Sequence, residues 1–167
     1  VMALRARPVR VADLPAGWGV SYGPSFETRR PSRIATLPLG YGDGWARGLS
    51  NQSEALVRGV RVPLVGTVAM DTIMADVTDV PGRAVGIDDE FTLLGDDGGE
   101  RITALDLARS RATISYEVLT AMSRRLPRVY HAAAGVAGLR TLAHGETAWH
   151  PSSSGTATSV TSMSTRS

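Results

Sequence analysis

Residues 18–26 read WGVSYGPSF, and two hydroxyls within them could do chemistry. Residues 19–23 satisfy G-x-S-x-G, the elbow on which many serine hydrolases mount a nucleophile at Ser21. That elbow needs a strand before the serine and a helix after it. Here the following residues hold Pro24 and Pro31, which leave room for barely one helical turn, and no strand-helix alternation surrounds them. A five-residue pattern with two glycines also arises often by chance. The neighbouring phenol of Tyr22 is the other candidate, able to give or take a proton. Tyr41 in LGYGDGW and Tyr116 in TISYEV sit in similarly constrained settings. A tyrosine beside glycine also serves as a packing anchor at a tight turn, so periodicity alone leaves both roles open.

Absences narrow the chemistry further. All 18 cationic side chains are arginines and none of the 167 residues is lysine, which excludes a P-loop lysine, a kinase lysine and a Schiff-base lysine within this chain. No cysteine is present, so disulfides, thiolate nucleophiles and zinc-finger cages are excluded as well. His131, His144 and His150 form no i, i+4 pair, and the acids at 88–90 and 96–97 lack calcium-loop spacing, so no metal site is expected. The net charge is only +2 and the arginines are scattered, with no basic block. Binding nucleic acid through counterion release needs many cations on one surface, so no such partner is expected. No apolar run approaches the roughly 20 residues that span a bilayer, and the first residues do not build a signal peptide. No membrane association and a cytoplasmic location are therefore expected.

The elements that must position these residues are mostly short strands. The apolar share of 43% and charged share of 20% are those of an ordinary globule, long enough to bury a core. VMALRARPVRVADL alternates at Leu4 and Ala6, then Val9 and Val11; RIATLPLG is a short apolar run; ALVRGVRVPLVG reads as two strands folded about Arg58-Gly59. DTIMADV and EFTLLG follow as strands, and DDGG at 96–99 turns into ERIT. Thr103 with Asp106 makes a capping box, after which Leu105, Leu107 and Ala108 are spaced for one buried face. A second short helix is expected through SYEVLTAMS, before RLPRVYH returns to extended chain. The pattern predicts a mainly β domain, a compact barrel or sandwich with one or two short helices. Residues 151–167 are nearly all small and polar and bury too little apolar surface to offset chain ordering, so a disordered tail is expected.

GVSYG, RIATLPLGYGDGWAR, VPLVGTVAMD, VGIDDEFTLLG, ISYEVL and LPRVYH, in unbroken order over residues 1–131, resemble the carboxy-terminal domain of bacterial alanine racemase. GLRTL at 138–142 resembles the family's end, which divides the chain into a domain at 1–131, a terminal strand and extension at 132–150, and the tail. The resemblance implies a fold-type III enzyme that uses pyridoxal 5'-phosphate, interconverts L- and D-alanine and feeds peptidoglycan. Such enzymes carry an amino-terminal (β/α)8 barrel that bears the Schiff-base lysine and holds most of the cofactor, and they form head-to-tail homodimers. The absence of lysine here agrees with a chain that resembles the second domain only.

By the same resemblance, Tyr22 is the base on the face of the bound amino acid opposite the lysine, donated across the dimer, and Ser21 is its neighbour. A phenol with a pKa of about 10 is a poor base at neutral pH; the family assists it with histidine and arginine of the barrel. Met70 corresponds to the residue whose backbone amide holds the substrate carboxylate, and Asp71 to one that fixes that loop. Tyr116 corresponds to the tyrosine that binds the cofactor phosphate, while Tyr41, Arg47 and Ile114 line the entrance corridor. Thr67 stands where many members carry a corridor arginine, which removes a charge from the entrance. Alanine is the implied substrate, with serine as the alternative. The chain alone is expected to be inactive, and the competing reading is a non-catalytic β-barrel binding or scaffold module derived from a racemase.

Overall fold

Two adjacent residues, Arg58 and Gly59, have φ of 54° and 73° and close the hairpin between β4 (Glu54–Val57) and β5 (Val60–Val65). Positive φ at both central positions matches the twist of the flanking strands. Glycine adopts it freely, whereas arginine does so against a Cβ clash. Arg58 is held there by its guanidinium, which donates from Nε to Asp89 Oδ1 at 2.9 Å and from Nη2 to Asp89 Oδ2 at 2.7 Å. Nη1 reaches the Arg83 carbonyl at 2.7 Å. One side chain thus ties a hairpin tip to the loop at 83–89.

The structure is a computed structural model and describes residues 2–23, 25–133, 135–143 and 145–148. The remaining strands are β1 (Leu4–Ala6), β2 (Arg10–Leu14), β3 (Ser32–Leu37), β6 (Ile73–Asp76), β7 (Phe91–Asp97) and β8 (Glu100–Ile102). They run β1-β7-β4-β5-β6-β3-β2 in one antiparallel sheet, with β8 added to β7. No ladder joins β1 to β2 among the described residues, so the sheet is open, a mainly β architecture without full barrel closure. A separate three-stranded sheet follows from β9 (Arg128–Ala132), β10 (Gly135–Thr141) and β11 (Gly145–Ala148).

The hairpin at Arg58-Gly59, the strands at DTIMADV and EFTLLG, and the turn into ERIT form where the sequence places them. Thr103 caps α1 (Ala104–Arg109): its hydroxyl accepts from the Asp106 amide at 3.1 Å, and Asp106 Oδ2 accepts from the Thr103 amide at 2.9 Å. Bonding from the Thr103 hydroxyl, then from its amide, holds the Asp106 carboxyl below its ordinary pKa. The expected helix at SYEVLTAMS is α2 (Ser115–Ala121).

Of the alternating positions, Leu4 and Ala6 are fully buried, while Val9, just before β2, is 59% exposed. One expectation, a buried Leu105, is corrected. Leu105 is 49% exposed: six residues of helix turn only Leu107 and Ala108 inward. His144, His150 and the expected disordered tail at 151–167 lie outside the described residues. The core is built on Trp45, Phe91, Leu4, Leu37, Leu39, Leu56 and Ile73, each no more than 2% exposed. It also takes in Leu107 and Val118 from the helices, which fixes α2 against the sheet.

Candidate functional site

Tyr22 is 74% exposed on a turn between Val20 and Phe26, whose backbone amide and carbonyl bond each other at 2.9 Å. The residue before it, Ser21, has φ of 68°, and its hydroxyl donates to the Thr67 carbonyl at 2.5 Å. The segment it reaches, residues 66–72, leaves β5 and returns through β6. Gly66, at φ 80°, lies so close under the turn that a Cβ there would stand 2.7 Å from the Val20 carbonyl oxygen.

The far side of that segment meets the 3-10 turn Tyr41–Asp43. The Tyr41 amide donates to the Ala69 carbonyl at 3.0 Å and the Gly42 amide to the Met70 carbonyl at 2.9 Å. Asp43, 5% exposed, accepts from the Gly40 amide at 3.0 Å and closes this turn. Arg125, just beyond α2, reaches Asp43 Oδ1 through Nε at 3.3 Å and also pairs with Asp71. Arg47 extends to the Val68 carbonyl at 3.5 Å. Met70 is 51% exposed; its carbonyl is bonded, while its amide donates to no described residue.

The structure therefore brings six of the eight sequence-derived residues, Tyr22, Tyr41, Arg47, Thr67, Met70 and Asp71, around one loop. Ile114 and Tyr116 belong to a different element. They open α2, 63% and 74% exposed, and no hydrogen bond or ion pair of their side chains reaches the other six among the described residues. Two surface grooves of about 690 Å³ are present, one beginning at the outgoing arm of this turn, at Ser25 and Phe26, and running to Arg29 and Asp76, the other at Met2, Leu94 and Leu119. None of the eight residues lines either groove. An enclosed pocket at Tyr22 or Met70 needs a second surface laid over them.

Sequence reasoning missed the supporting residues Asp43, Ser25, Asn51 and Arg125. Asp43 carries a readable signal, since it stands three residues after Gly40 at a helix start. Ser25, Asn51 and Arg125 have none, because their partners lie 42, 15 to 26, and 54 residues away. Asp43→Ala is expected to destabilise the fold by about 2 kcal/mol, since a buried carboxylate bonded to an amide and a guanidinium is lost and the Gly40 amide is orphaned. Urea denaturation reads this; a cost below about 0.5 kcal/mol would show that the turn closes without it.

A family profile described as "Alanine racemase, C-terminal domain" matches residues 1–130. The chain belongs to this family. Alanine racemase of Halothermothrix orenii is 46% identical over 130 residues, covering 78% of this chain and 34% of that protein. Alanine racemase 2 of Caldanaerobacter subterraneus is 50% identical over 129 residues, covering 77% and 33%. Among solved structures, alanine racemase from Bacillus anthracis with bound L-Ala-P superposes with a TM-score of 0.77 at 34% identity, covering 83% of this chain and 35% of that one. Alanine racemase from Bartonella henselae with covalently bound pyridoxal phosphate gives 0.66 at 34% identity, covering 71% and 32%. The chain thus spans about a third of the length of the alanine racemases it matches. No helix among the described residues is long and apolar enough to cross a membrane.

Proposed function

We propose that this chain is the carboxy-terminal part of a pyridoxal-phosphate-dependent alanine racemase and contributes one of its two proton-transfer groups, the phenol of Tyr22. The observation that carries this reading is the placement of Tyr22. A large aromatic side chain is held 74% exposed on a turn bonded to residue 67. Packing does not explain a phenol presented in this way; presentation to a second surface does.

Racemisation takes a proton from Cα on one face and returns one on the other, and a single rigid side chain cannot reach both. Tyr22 serves one face. The chain has no lysine, so the amine for the other face comes from a different segment, the amino-terminal barrel. The Met70 amide, donating to no described residue, holds the substrate carboxylate, and Asp71 with Arg125 fixes its loop. Tyr41, Arg47 and Ile114 line the approach, with Thr67 leaving it short of one cation.

The residues present fit the cofactor. The Tyr116 hydroxyl makes no hydrogen bond among the described residues and is a donor suited to an anionic phosphate oxygen. When bound, pyridoxal phosphate withdraws electrons from the amino acid and so acidifies its Cα proton. Tyr22 and Tyr116 are each 74% exposed on different elements, so each can meet a different second surface, which supports a homodimer in which Tyr22 crosses to the partner subunit.

Mixing the chain with an excised, lysine-bearing barrel domain of an alanine racemase tests the reading. D-alanine is expected to form from L-alanine only in the mixture. Racemisation by the chain alone would overturn it.

A further inference from the structure

We infer that Thr67 is a positioning residue, the centre of a polar clamp that grips both arms of the turn carrying Tyr22. On the incoming arm, the Ser21 hydroxyl donates to the Thr67 carbonyl at 2.5 Å. On the outgoing arm, the Ser25 and Thr67 hydroxyls bond each other at 2.9 Å. Residues 21 and 25 bracket Tyr22, so one residue holds both ends of the turn.

The clamp is itself braced. Asn51 Oδ1 accepts from the Gly66 amide at 2.6 Å, while its Nδ2 donates to the Ser25 hydroxyl at 3.3 Å and the Ser25 carbonyl at 3.4 Å. Asn51 does this from φ of 57°, a left-handed conformation that asparagine tolerates. The Ser50 hydroxyl accepts from the Val68 amide at 2.9 Å. Residues on either side of Thr67 are thereby pinned to the adjacent pair Ser50 and Asn51. Ser21 at φ 68° is in a conformation disfavoured for a side chain with a Cβ, and such a conformation persists only where its surroundings hold it. Here the bond to Thr67 and the close approach of Gly66 do so. A long arginine at position 67 could not make the short hydroxyl link to Ser25. The small β-branched alcohol exchanges a corridor charge for a fixed turn.

The catalytic consequence rests on the reading of Tyr22 as a proton-transfer group, but the clamp can be read without it. In the chain itself, Thr67→Val keeps the shape and removes the hydroxyl. Amide hydrogen exchange followed by NMR is expected to speed up about fivefold at Val20 and its neighbours in the turn, with β5 within twofold. Unchanged exchange in the turn overturns the inference. If Thr67→Val does not fold, Ser25→Ala removes the same bond from the exposed side, together with the one Ser25 accepts from Asn51, and is expected to speed exchange in the turn at least about fivefold. The double variant is expected to exchange no faster than Ser25→Ala alone; additive effects would show that the two hydroxyls do not act on each other.

In a racemase reassembled with the barrel domain, Thr67→Val is expected to lower kcat about tenfold with KM within twofold, and Thr67→Ser to restore it. A Thr67→Ser variant as slow as Thr67→Val overturns the positioning role. Failure of the Tyr22 reading would leave the exchange results intact, so the two ideas fail separately.

Discussion

Tyr22→Phe, introduced into a racemase reassembled from this chain and a lysine-bearing barrel domain, is expected to lower kcat about 10³-fold. Positioned acid-base groups contribute roughly 10² to 10⁴ in rate, and removal of the only group on one face belongs in the upper half of that range. Phenylalanine keeps the ring and loses only the hydroxyl, so the exposed turn and its bonds to Thr67 stay as they are. The loss is also expected to be lopsided. On the proposed role Tyr22 serves one side of Cα, so exchange of the substrate proton with deuterated solvent should nearly stop from one enantiomer while continuing from the other. Chiral chromatography together with mass spectrometry of recovered alanine reads both effects. Equal exchange from both enantiomers at an undiminished rate would remove Tyr22 from the reaction.

Asp89→Ala is expected to destabilise the fold by about 2 to 3 kcal/mol at pH 7, a loss of roughly 10 °C in Tm. The Asp89 side chain is 5% exposed and bonded to Arg58, Arg83 and the Gly86 amide. Its carboxyl is held well below the usual carboxylate range, chiefly by hydrogen bonds from Arg58, with the Gly86 amide and Arg83 adding to them and burial opposing. A depressed folded-state pKa stabilises the fold above the unfolded value, about pH 4, and that contribution drains away as pH falls towards the folded value. The gap between the native chain and Asp89→Ala should therefore be constant from pH 5 to 8 and narrow by about 1 kcal/mol at pH 3. Guanidinium denaturation at each pH measures it. A gap that widens in acid would refute the assignment. Since Arg58 sits at a hairpin tip in a disfavoured conformation, the β4–β5 hairpin should be the first region to lose exchange protection in the variant.

Local chain physics made much of the fold legible. The Arg58-Gly59 hairpin and the Thr103–Asp106 cap each depend on backbone preferences within two to four residues, which composition and spacing record directly. Alternation marked the strands for the same reason. It could not say how each strand would be covered, so of the alternating positions Leu4 and Ala6 are fully buried while Val9 is 59% exposed. Leu105 fails similarly, because six helical residues rotate too little of their surface inward for the spacing to hold.

For the site, the sequence by itself determined the chemical types: three constrained tyrosines, no lysine, no cysteine, and blocks in the order of a racemase domain. Tertiary structure alone decided how Tyr22 is presented. The hydroxyls that grip its turn lie 42 to 46 residues from Thr67 in sequence, and the carboxylate Asp71 that anchors the Met70 loop meets its guanidinium across 54. Preferences of a few consecutive residues fix turns and caps because the interacting groups are already neighbours. Groups this far apart meet only when the order of strands in the sheet folds them together, and no local pattern carries that information.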